Sequence, residues 1–273
     1  KPINITDALR YVDQETGFLD NFEHVLPVQS KGRANVNDLL AVIIGNGTNY
    51  GLYGMANISD RAYDQLKGIQ ANYLRPETLN NANDVINNSV ARLAIFKHYN
   101  IQEDLIHASA DGQKFESRLE TFKTRYSSKY FGTNKGVSAI TLIANHAALN
   151  AKVIGSNEHE SHYIFDLLQS NTSEIQPDVL STDTHGVNHV NFALLDLFGY
   201  TFAPRYAQFG KVIEEMFKVS ENKDQGVTLS LKKPIKTDLI IEHWDTIQRI
   251  AISLQEKSTT QAILVRKLSG YSK

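Results

Sequence analysis

Two aspartates stand where short apolar segments give way to turn residues. Asp111 follows residues 105–110 in the sequence Ser-Ala-Asp-Gly-Gln-Lys-Phe, and Asp183 ends residues 179–183 in the sequence Ser-Thr-Asp-Thr-His-Gly. Each apolar segment is typical of a β-strand. If the two strands are neighbours, both carboxylates lie at the same end of one sheet, where α/β proteins usually build their sites.

Paired carboxylates at such a position favour metal-dependent phosphoryl transfer. Mg²⁺ prefers oxygen ligands, and two ions about 3.5–4 Å apart would activate water or a 3′-hydroxyl and stabilise the leaving oxygen of a phosphodiester. A purely structural interpretation stays open. Asp-Gly is a common turn dipeptide, and Asp183 or Thr184 could cap the helix that follows.

Four further polar residues follow the same predicted strand ends and could contact phosphates. They are Gln113, Lys114, His185 and Arg205. Structural roles are the alternative, since Lys114 could be a solvated turn residue and Arg205 could pair with an acid.

A third carboxylate could come from Glu214 or Glu215, on a predicted helix after the last strand. Exposed glutamate pairs are also common on helices, so this position alone does not identify a catalytic residue.

Two other motifs are weak. Residues 45–51 resemble a dinucleotide-binding loop, but the third glycine comes one position late and no clear second strand follows. His159 and His162 are three residues apart, whereas the zinc-binding helix motif needs a spacing of four. A solvated helix start is the favoured interpretation of the histidine pair.

Changes in hydrophobic period predict the elements that position these residues. Residues 35–99 are predicted to be mostly helical, with starts at Asn35 and Pro76. The expected order after them is strands at 105–110, 121–131 and 136–154 with a hairpin at 132–134, helix 160–168, strand 179–183, helix 188–197 and strand 201–203. The tail 236–268 is amphipathic and long enough for two packed helices. This order indicates an α/β layout whose first three strands form an antiparallel meander.

Composition excludes several classes of protein. The 273 residues carry 28 Lys and Arg against 30 Asp and Glu, a net charge of −2, and no Cys. Disulfide scaffolds, thiolate zinc sites and cysteine nucleophiles are therefore excluded. No apolar run approaches the length of a membrane helix and no signal-peptide pattern opens the chain, so we expect an intracellular protein. Without a basic excess, any site for DNA must be a local patch.

Several stretches resemble one family in order across nearly the whole chain. The strongest are Ser-Ala-Asp-Gly-Gln-Lys-Phe at 109–115, Thr-Asp-Thr-His-Gly at 182–186 and Gly-Tyr-Thr-Phe-Ala-Pro-Arg at 199–205. Agreement continues at residues 47–52, 241–245 and 253–268. Together they resemble the catalytic region of the large replicative transposases of the Tn-three (Tn3) family.

The resemblance implies a ribonuclease-H-like core of DDE type, with a mixed sheet of three antiparallel strands plus parallel strands, flanked by helices. It implies that Asp111 and Asp183 are the first and second catalytic, metal-binding acids, and their separation of 72 positions fits the family. The implied cofactor is Mg²⁺, for which Mn²⁺ can substitute. The implied partners are transposon-end and target DNA and, in the intact transposase, further copies of itself. No membrane is involved, and the expected location is the bacterial cytoplasm, beside the nucleoid.

The third acid of the family is a Glu on a helix beyond the segment that resembles residues 268–272. We therefore expect it to be absent from this chain, with Glu215 as the fallback, and we expect this fragment alone to be inactive. The implied domains are a mainly helical region at 1–100, the ribonuclease-H-like core at 101–209 and a helical insertion at 210–273, truncated before the third acid. A ribonuclease-H-like nuclease and a non-catalytic DNA-binding or assembly module are the alternative functions.

Overall fold

A computed structural model describes residues 2–26, 28, 32–213, 216–218 and 233–269. The chain divides into two compact units. The first is drawn from residues 1–100, 145–149 and 172–176, and the second from residues 101–144, 150–171 and 177–273. The C-terminal helices thus belong to the same unit as the sheet.

The first unit is built mainly of helices. They are α1 (Ile5–Thr16), α2 (Val36–Gly47), α3 (Gly51–Ile58), α4 (Tyr63–Tyr73) and α5 (Pro76–Ala91), with 3-10 helices at Phe18–Asn21 and Ala94–Tyr99. Asn35 caps α2 by accepting hydrogen bonds from the backbone N–H groups of Asn37 and Asp38, and Pro76 is the first residue of α5. Both predicted helix starts are confirmed. The apolar faces pack around buried Phe18, Leu40 and Tyr73.

The second unit contains most of a mixed sheet, one strand of which begins with residues 147–149 of the first unit. Its strands are β1 (His107–Glu116), β2 (Arg125–Tyr126), β3 (Lys135–Ala144), β4 (Ala147–Gly155), β5 (Val179–Thr182) and β6 (Thr201–Phe202). The strand order is β2-β3-β1-β5-β6, and β4 also pairs with β3. β1 and β3 are antiparallel, whereas β5 is parallel to β1 and β6 is parallel to β5. This mixed sheet with its flanking helices has the predicted α/β, ribonuclease-H-like architecture.

The second unit also contains short helices, of which α7 (Ile164–Gln169) and α12 (Gln261–Ser269) contribute Leu167 and Ala262 to a core cluster with Ile140 of the sheet. They are α6 (Ser128–Phe131), α7 (Ile164–Gln169), α8 (His189–Leu197), α9 (Phe209–Ile213), α10 (Thr237–Glu242), α11 (Trp244–Gln255) and α12 (Gln261–Ser269), with 3-10 helices at Glu160–Tyr163 and Thr184–Gly186. A separate strand pair joins β7 (Phe217–Lys218) to β8 (Lys233–Pro234). The C-terminal tail, predicted to form two helices, forms three, α10 to α12. None of the helices in the described ranges has the length and apolar character needed to cross a bilayer.

Two strand predictions are wrong in their bounds. Of residues 121–131, only Arg125 and Tyr126 pair in the sheet, and residues 128–131 form a helical turn. Residues 136–154 form most of two strands, β3 and β4, joined at Asn145 and His146. Both joining residues have positive φ, 45° and 67°, which is the backbone that a tight two-residue hairpin requires.

Strand β1 is longer than its sequence predicts. It does not turn at Asp111 and Gly112 but continues to Glu116, because Gly112 pairs with Ile140 of β3 and the ladder extends to the pair Glu116–Gly136. Alternate residues therefore face opposite sides of the sheet. Ala108 and Ala110 are buried, and Asp111 is exposed on the other face.

Candidate metal centre

The register of β1 and β5 brings Asp111 and Asp183 to neighbouring positions. The two parallel strands pair Ser109 with Ser181 and Ala110 with Thr182. Asp111 and Asp183 each directly follow the last of these pairs. Neighbouring strands of a sheet lie about 4.8 Å apart. Asp111 is two residues beyond Ser109 and therefore shares its exposed face.

Asp111 lies in an open concavity of about 220 Å³ on the exposed face of β1 and β3. The lining residues are Ser109, Asp111, Gly112, Gln113, Ala139, Thr141 and Ile143. One carboxylate oxygen, Oδ1, accepts a hydrogen bond of 2.8 Å from the backbone N–H of Gly112. The concavity is open enough for a ligand to approach the carboxylate from solvent.

Asp183 is held by the turn that follows it. Its Oδ1 accepts hydrogen bonds from the backbone N–H groups of His185 and Gly186, at 2.9 and 3.2 Å. Its Oδ2 lies 2.8 Å from Nδ1 of His185. Burial alone would raise the pKa of Asp183, but these hydrogen bonds and the charge of His185 outweigh it and lower the pKa below 3.8. The carboxylate is therefore an oriented anion at neutral pH. The capping role foreseen as an alternative is present, and it leaves the side chain half exposed.

Three of the four predicted phosphate contacts adjoin these aspartates. Gln113 lines the concavity with Asp111, and His185 is bonded to Asp183. Arg205 follows β6, where its backbone N–H donates to the carbonyl oxygen of Thr182 at 2.8 Å, and its side chain is exposed.

Lys114 is not brought to this face. It occupies the alternate position of β1, where its Nζ lies 3.3 Å from Oε1 of Glu160 and 4.7 Å from the centre of the Tyr130 ring. The side chain is only 16% exposed. The strand continues through Lys114, so the alternation of faces separates it from Asp111.

Glu160 contacts β1 beside Asp111, a contact that the sequence did not reveal. Its Oε1 accepts a hydrogen bond of 2.7 Å from Oγ of Ser138, and its carboxyl group lies against the backbone of Gly112. A Cβ at position 112 would stand 2.1 Å from the Glu160 carboxyl carbon. A glycine inside a strand can mark such a close approach, and this was the available signal in the Asp-Gly pair.

A buried amide network supports the turn that carries Asp183. Nδ2 of Asn191 donates to the carbonyl oxygens of Gly186, at 2.9 Å, and Ser161, at 3.0 Å. Gln261 at the start of α12 donates to the Ser161 carbonyl oxygen and to Oδ1 of Asn191. Both amide side chains are 1% exposed. The start of α12 and the Asp183 turn are thus joined through buried hydrogen bonds.

Asp166 completes the attachment of α12. Its Oδ1 accepts a hydrogen bond of 2.7 Å from the backbone N–H of Gln261, so the carboxylate caps the helix. Burial raises the pKa of Asp166 above 3.8, against the opposing effect of the hydrogen bonds and of Lys152.

The donor chemistry of Asp111 and Asp183 fits a hard divalent cation, because each contributes carboxylate oxygens. Within the ranges that the structure describes, no three His, Asp or Glu side chains are grouped so as to hold a metal ion. The candidate third acid Glu215, like Glu214, lies outside the described residues.

Two carboxylates that follow adjacent strands of a ribonuclease-H-like sheet form an arrangement that suits a divalent cation. Comparison with known proteins identifies the family of the chain. The family model described as "Tn3 transposase DDE domain" matches residues 7–273, and this chain belongs to that family.

The chain is similar to several curated transposases. It is 32% identical to the transposase for transposon Tn2501 of Escherichia coli, over 98% of this chain and 27% of that protein. It is 30% identical to the transposase for Tn501 of Pseudomonas aeruginosa, with the same coverage. Against the transposase for transposon gamma-delta of Escherichia coli strain K12, identity is 27% over 98% of this chain and 26% of that protein. The chain thus spans about a quarter of the length of these relatives.

Among solved structures, a cryo-EM structure of the piggyBac transposase synaptic complex with hairpin DNA matches with a TM-score of 0.37 and 12% identity. The match covers 82% of this chain and 55% of that chain. A likeness this weak does not bear on the assignment.

Proposed function

We propose that the whole protein is a DNA transposase that hydrolyses the phosphodiester at the 3′ end of a transposon and then transfers the freed 3′-hydroxyl to target DNA. Membership of the DDE transposase family supports the reaction class. The observation that carries the site is the β1–β5 register, which sets Asp111 beside Asp183 at the end of their shared ladder.

Asp111 and Asp183 are proposed to bind divalent cations. DDE transposase domains generally use such ions, and we propose Mg²⁺, with Mn²⁺ as a substitute. A bound cation of this kind supplies activation of the hydroxyl nucleophile and stabilisation of the leaving oxygen. The protein contributes position and charge. Asp183 is already ionised and oriented by two backbone N–H groups and His185, so little rearrangement is needed before binding.

Gln113 and Arg205 are proposed to contact phosphate oxygens, Gln113 from the concavity and Arg205 from the segment after β6. His185 is proposed to contact phosphate as well as to orient Asp183. A role for Lys114 stays a prediction, and its pairing with Glu160 on the opposite face does not support it.

A strand-transfer assay tests the proposal. The whole protein, transposon-end DNA and Mg²⁺ should yield joined products. Asp111→Asn and Asp183→Asn should each reduce product formation at least about 100-fold, since each removes a metal ligand. Asp196→Asn, which changes an exposed carboxylate on α8, is the matched control and should retain activity. Retained strand transfer in both site variants would refute the assignment. Cleavage without joined products would favour the nuclease alternative.

We also propose that these 273 residues alone do not cleave DNA, because no third carboxylate joins the pair within the described ranges. The test incubates the chain with transposon-end DNA and Mg²⁺ or Mn²⁺. Cleavage that Glu215→Gln abolishes would refute this and identify Glu215 as the third acid. Absence of cleavage, with cleavage by the whole protein, would support it.

Self-association of the whole transposase on paired transposon ends and a cytoplasmic location beside the nucleoid are proposed from the family alone. Sedimentation of the whole protein with and without transposon-end DNA tests the first.

A further inference from the structure

The segment from the end of β1 to the first residue of β3, residues 117–135, concentrates positive charge. It contains five Lys and Arg and a single Glu, a net charge of +4. The whole chain carries −2, so all other residues together carry −6. We call residues 117–135 the connecting segment. It is the kind of local basic patch that DNA binding requires of a chain without a basic excess.

Most of these cations are not neutralised by the protein. In the described parts of the chain, Lys135 is the one cation of the connecting segment that has a carboxylate partner, Glu120. Nζ of Lys123 donates to the carbonyl oxygen of Val153, and Arg125 donates to backbone carbonyl oxygens of its own turn. Neutral partners leave the charge of Lys123 and Arg125 in place.

An ordered turn holds an aromatic ring in solvent within this basic segment. Phe122 is 91% exposed. It lies in the turn Thr121–Thr124, in which Oγ1 of Thr124 accepts from the backbone N–H of Thr121 at 2.9 Å. Nη1 of Arg125 donates to the carbonyl oxygen of Phe122 at 2.9 Å. The turn is preorganised, so a ligand that covers the ring need not order it first.

Exposed apolar side chains alternate with the cations along the segment. Besides Phe122, the exposed ones are Leu119, Tyr126 and Tyr130. Aromatic rings interleaved with Lys and Arg are typical of surfaces that stack on unpaired bases and follow the phosphate backbone. Protein interfaces are enriched in aromatic residues and Arg but depleted of Lys. Three of the five cations here are Lys, so the charge favours nucleic acid over a second protein.

We propose that the connecting segment is a DNA-binding surface, on which Phe122 stacks against an unpaired base and Arg118 and Lys123 contact the neighbouring phosphates. DNA as the partner rests on the proposed function. β1 leads from Asp111 directly into this segment over six residues, about 20 Å of extended strand. The surface therefore binds DNA that continues past the candidate metal centre.

Fluorescence anisotropy with two labelled DNAs tests the proposal. One is a duplex with a 3′ overhang of unpaired bases, and the other is a blunt duplex of the same paired sequence, both titrated with the 273-residue chain in EDTA over a salt series. Phe122→Ala should weaken binding to the overhang duplex about tenfold and binding to the blunt duplex much less. Arg118→Gln should weaken both and reduce the salt slope by about one.

Controls change similar side chains elsewhere. Tyr53→Ala removes an aromatic ring that is 72% exposed, and Lys67→Gln removes an exposed cation of α4. Both variants should bind the two DNAs like the wild type. Circular dichroism of Phe122→Ala should match the wild type, because the ring it removes is not packed in the core.

The proposal would be overturned if Phe122→Ala bound the overhang duplex with wild-type affinity, or if the wild type bound neither DNA. A change of sedimenting mass in Phe122→Ala without a change in DNA affinity would also overturn it, because that result would indicate a protein interface. The measurement uses no metal. Failure of the metal centre, seen with Asp111→Asn, therefore leaves this result unchanged, and the two proposals can fail separately.

Discussion

At the scale of single residues, Asp183 caps the 3-10 helix Thr184–Gly186, which is the structural role that its sequence left open. It is also the proposed metal ligand, since it directly follows the last β1–β5 pair, as Asp111 does. Burial opposes ionisation, but hydrogen bonds from the His185 side chain and from the backbone N–H groups of His185 and Gly186 lower the pKa of the carboxyl group.

The contribution of His185 to this arrangement can be measured by titration. In the wild type, the Asp183 carboxyl should titrate below 3.8, and His185→Ala should raise its pKa toward that value. The folded pKa is below the unfolded one, so the stabilisation is complete above pH 3.8 and is lost as the pH falls through the folded pKa. Because both side chains are largely exposed, the stability difference should be under about 1 kcal/mol.

Carbon-13 NMR of the carboxyl group provides the measurement. His98→Ala, which removes an exposed histidine of the first unit, should leave the pKa of Asp183 unchanged. An equal pKa in the wild type and in His185→Ala would show that the imidazole does not hold this carboxylate.

Gly112 gives a second prediction at this scale. The added methyl group of Gly112→Ala would collide with the Glu160 carboxyl group, so unfolding in urea should show a loss of about 1–3 kcal/mol. Gly68→Ala is the matched control, since nothing lies within 4 Å of its added Cβ and helix α4 favours alanine over glycine. It should be neutral or stabilising. Equal stabilities of the wild type and Gly112→Ala would mean that Glu160 does not pack against β1.

At the scale of elements, α12 is attached to the core through polar groups rather than through apolar area alone. Gln261 accepts from the backbone N–H of Phe165 and donates to Ser161 and Asn191. Gln261→Ala would leave these buried groups without partners, at a cost of about 2–4 kcal/mol.

Urea unfolding and hydrogen exchange measure this effect. Exchange should accelerate at the amide of Phe165, which loses its acceptor. Gln255→Ala, at the exposed end of α11, should change neither measurement. Wild-type stability of Gln261→Ala would refute a supporting role for the network.

Sequence predicted the elements best where a local signal defines them. Asn35, Pro76 and Asn188 each mark a helix start through capping or a fixed backbone angle, and each is found where expected. The sequence-based prediction was wrong where pairing in the sheet determines the backbone conformation. Residues 111 and 112 resemble a turn locally, but their pairing with Thr141 and Ile140 keeps them extended.

In the candidate site, too, residues with a local sequence signal were predicted, and contacts between distant segments were not. Spacing and strand ends indicated Asp111 and Asp183, and the parallel register now sets them side by side. Lys114 was grouped with Asp111 because β1 was expected to end there, whereas a continued strand places it on the other face. Glu160 and the Asn191–Gln261 network could not be predicted, because each depends on contacts between segments distant in sequence.

At the scale of the whole molecule, charge is distributed unevenly. The chain is slightly acidic, yet one connecting segment is strongly basic. The proposed cation site at Asp111 and Asp183 and the proposed DNA surface at residues 117–135 are formed by different residues. This separation lets the metal centre and the DNA surface be tested independently.

Asp111 and Asp183 are proposed to share a divalent cation. Calorimetric titration with Mn²⁺ measures this binding in the wild-type 273-residue chain, in Asp111→Asn, in Asp183→Asn and in the control Asp196→Asn. We expect binding by the wild type and the control, and at least about tenfold weaker binding by each site variant. Equal heats for the wild type and both site variants, or no binding by the wild type, would contradict it.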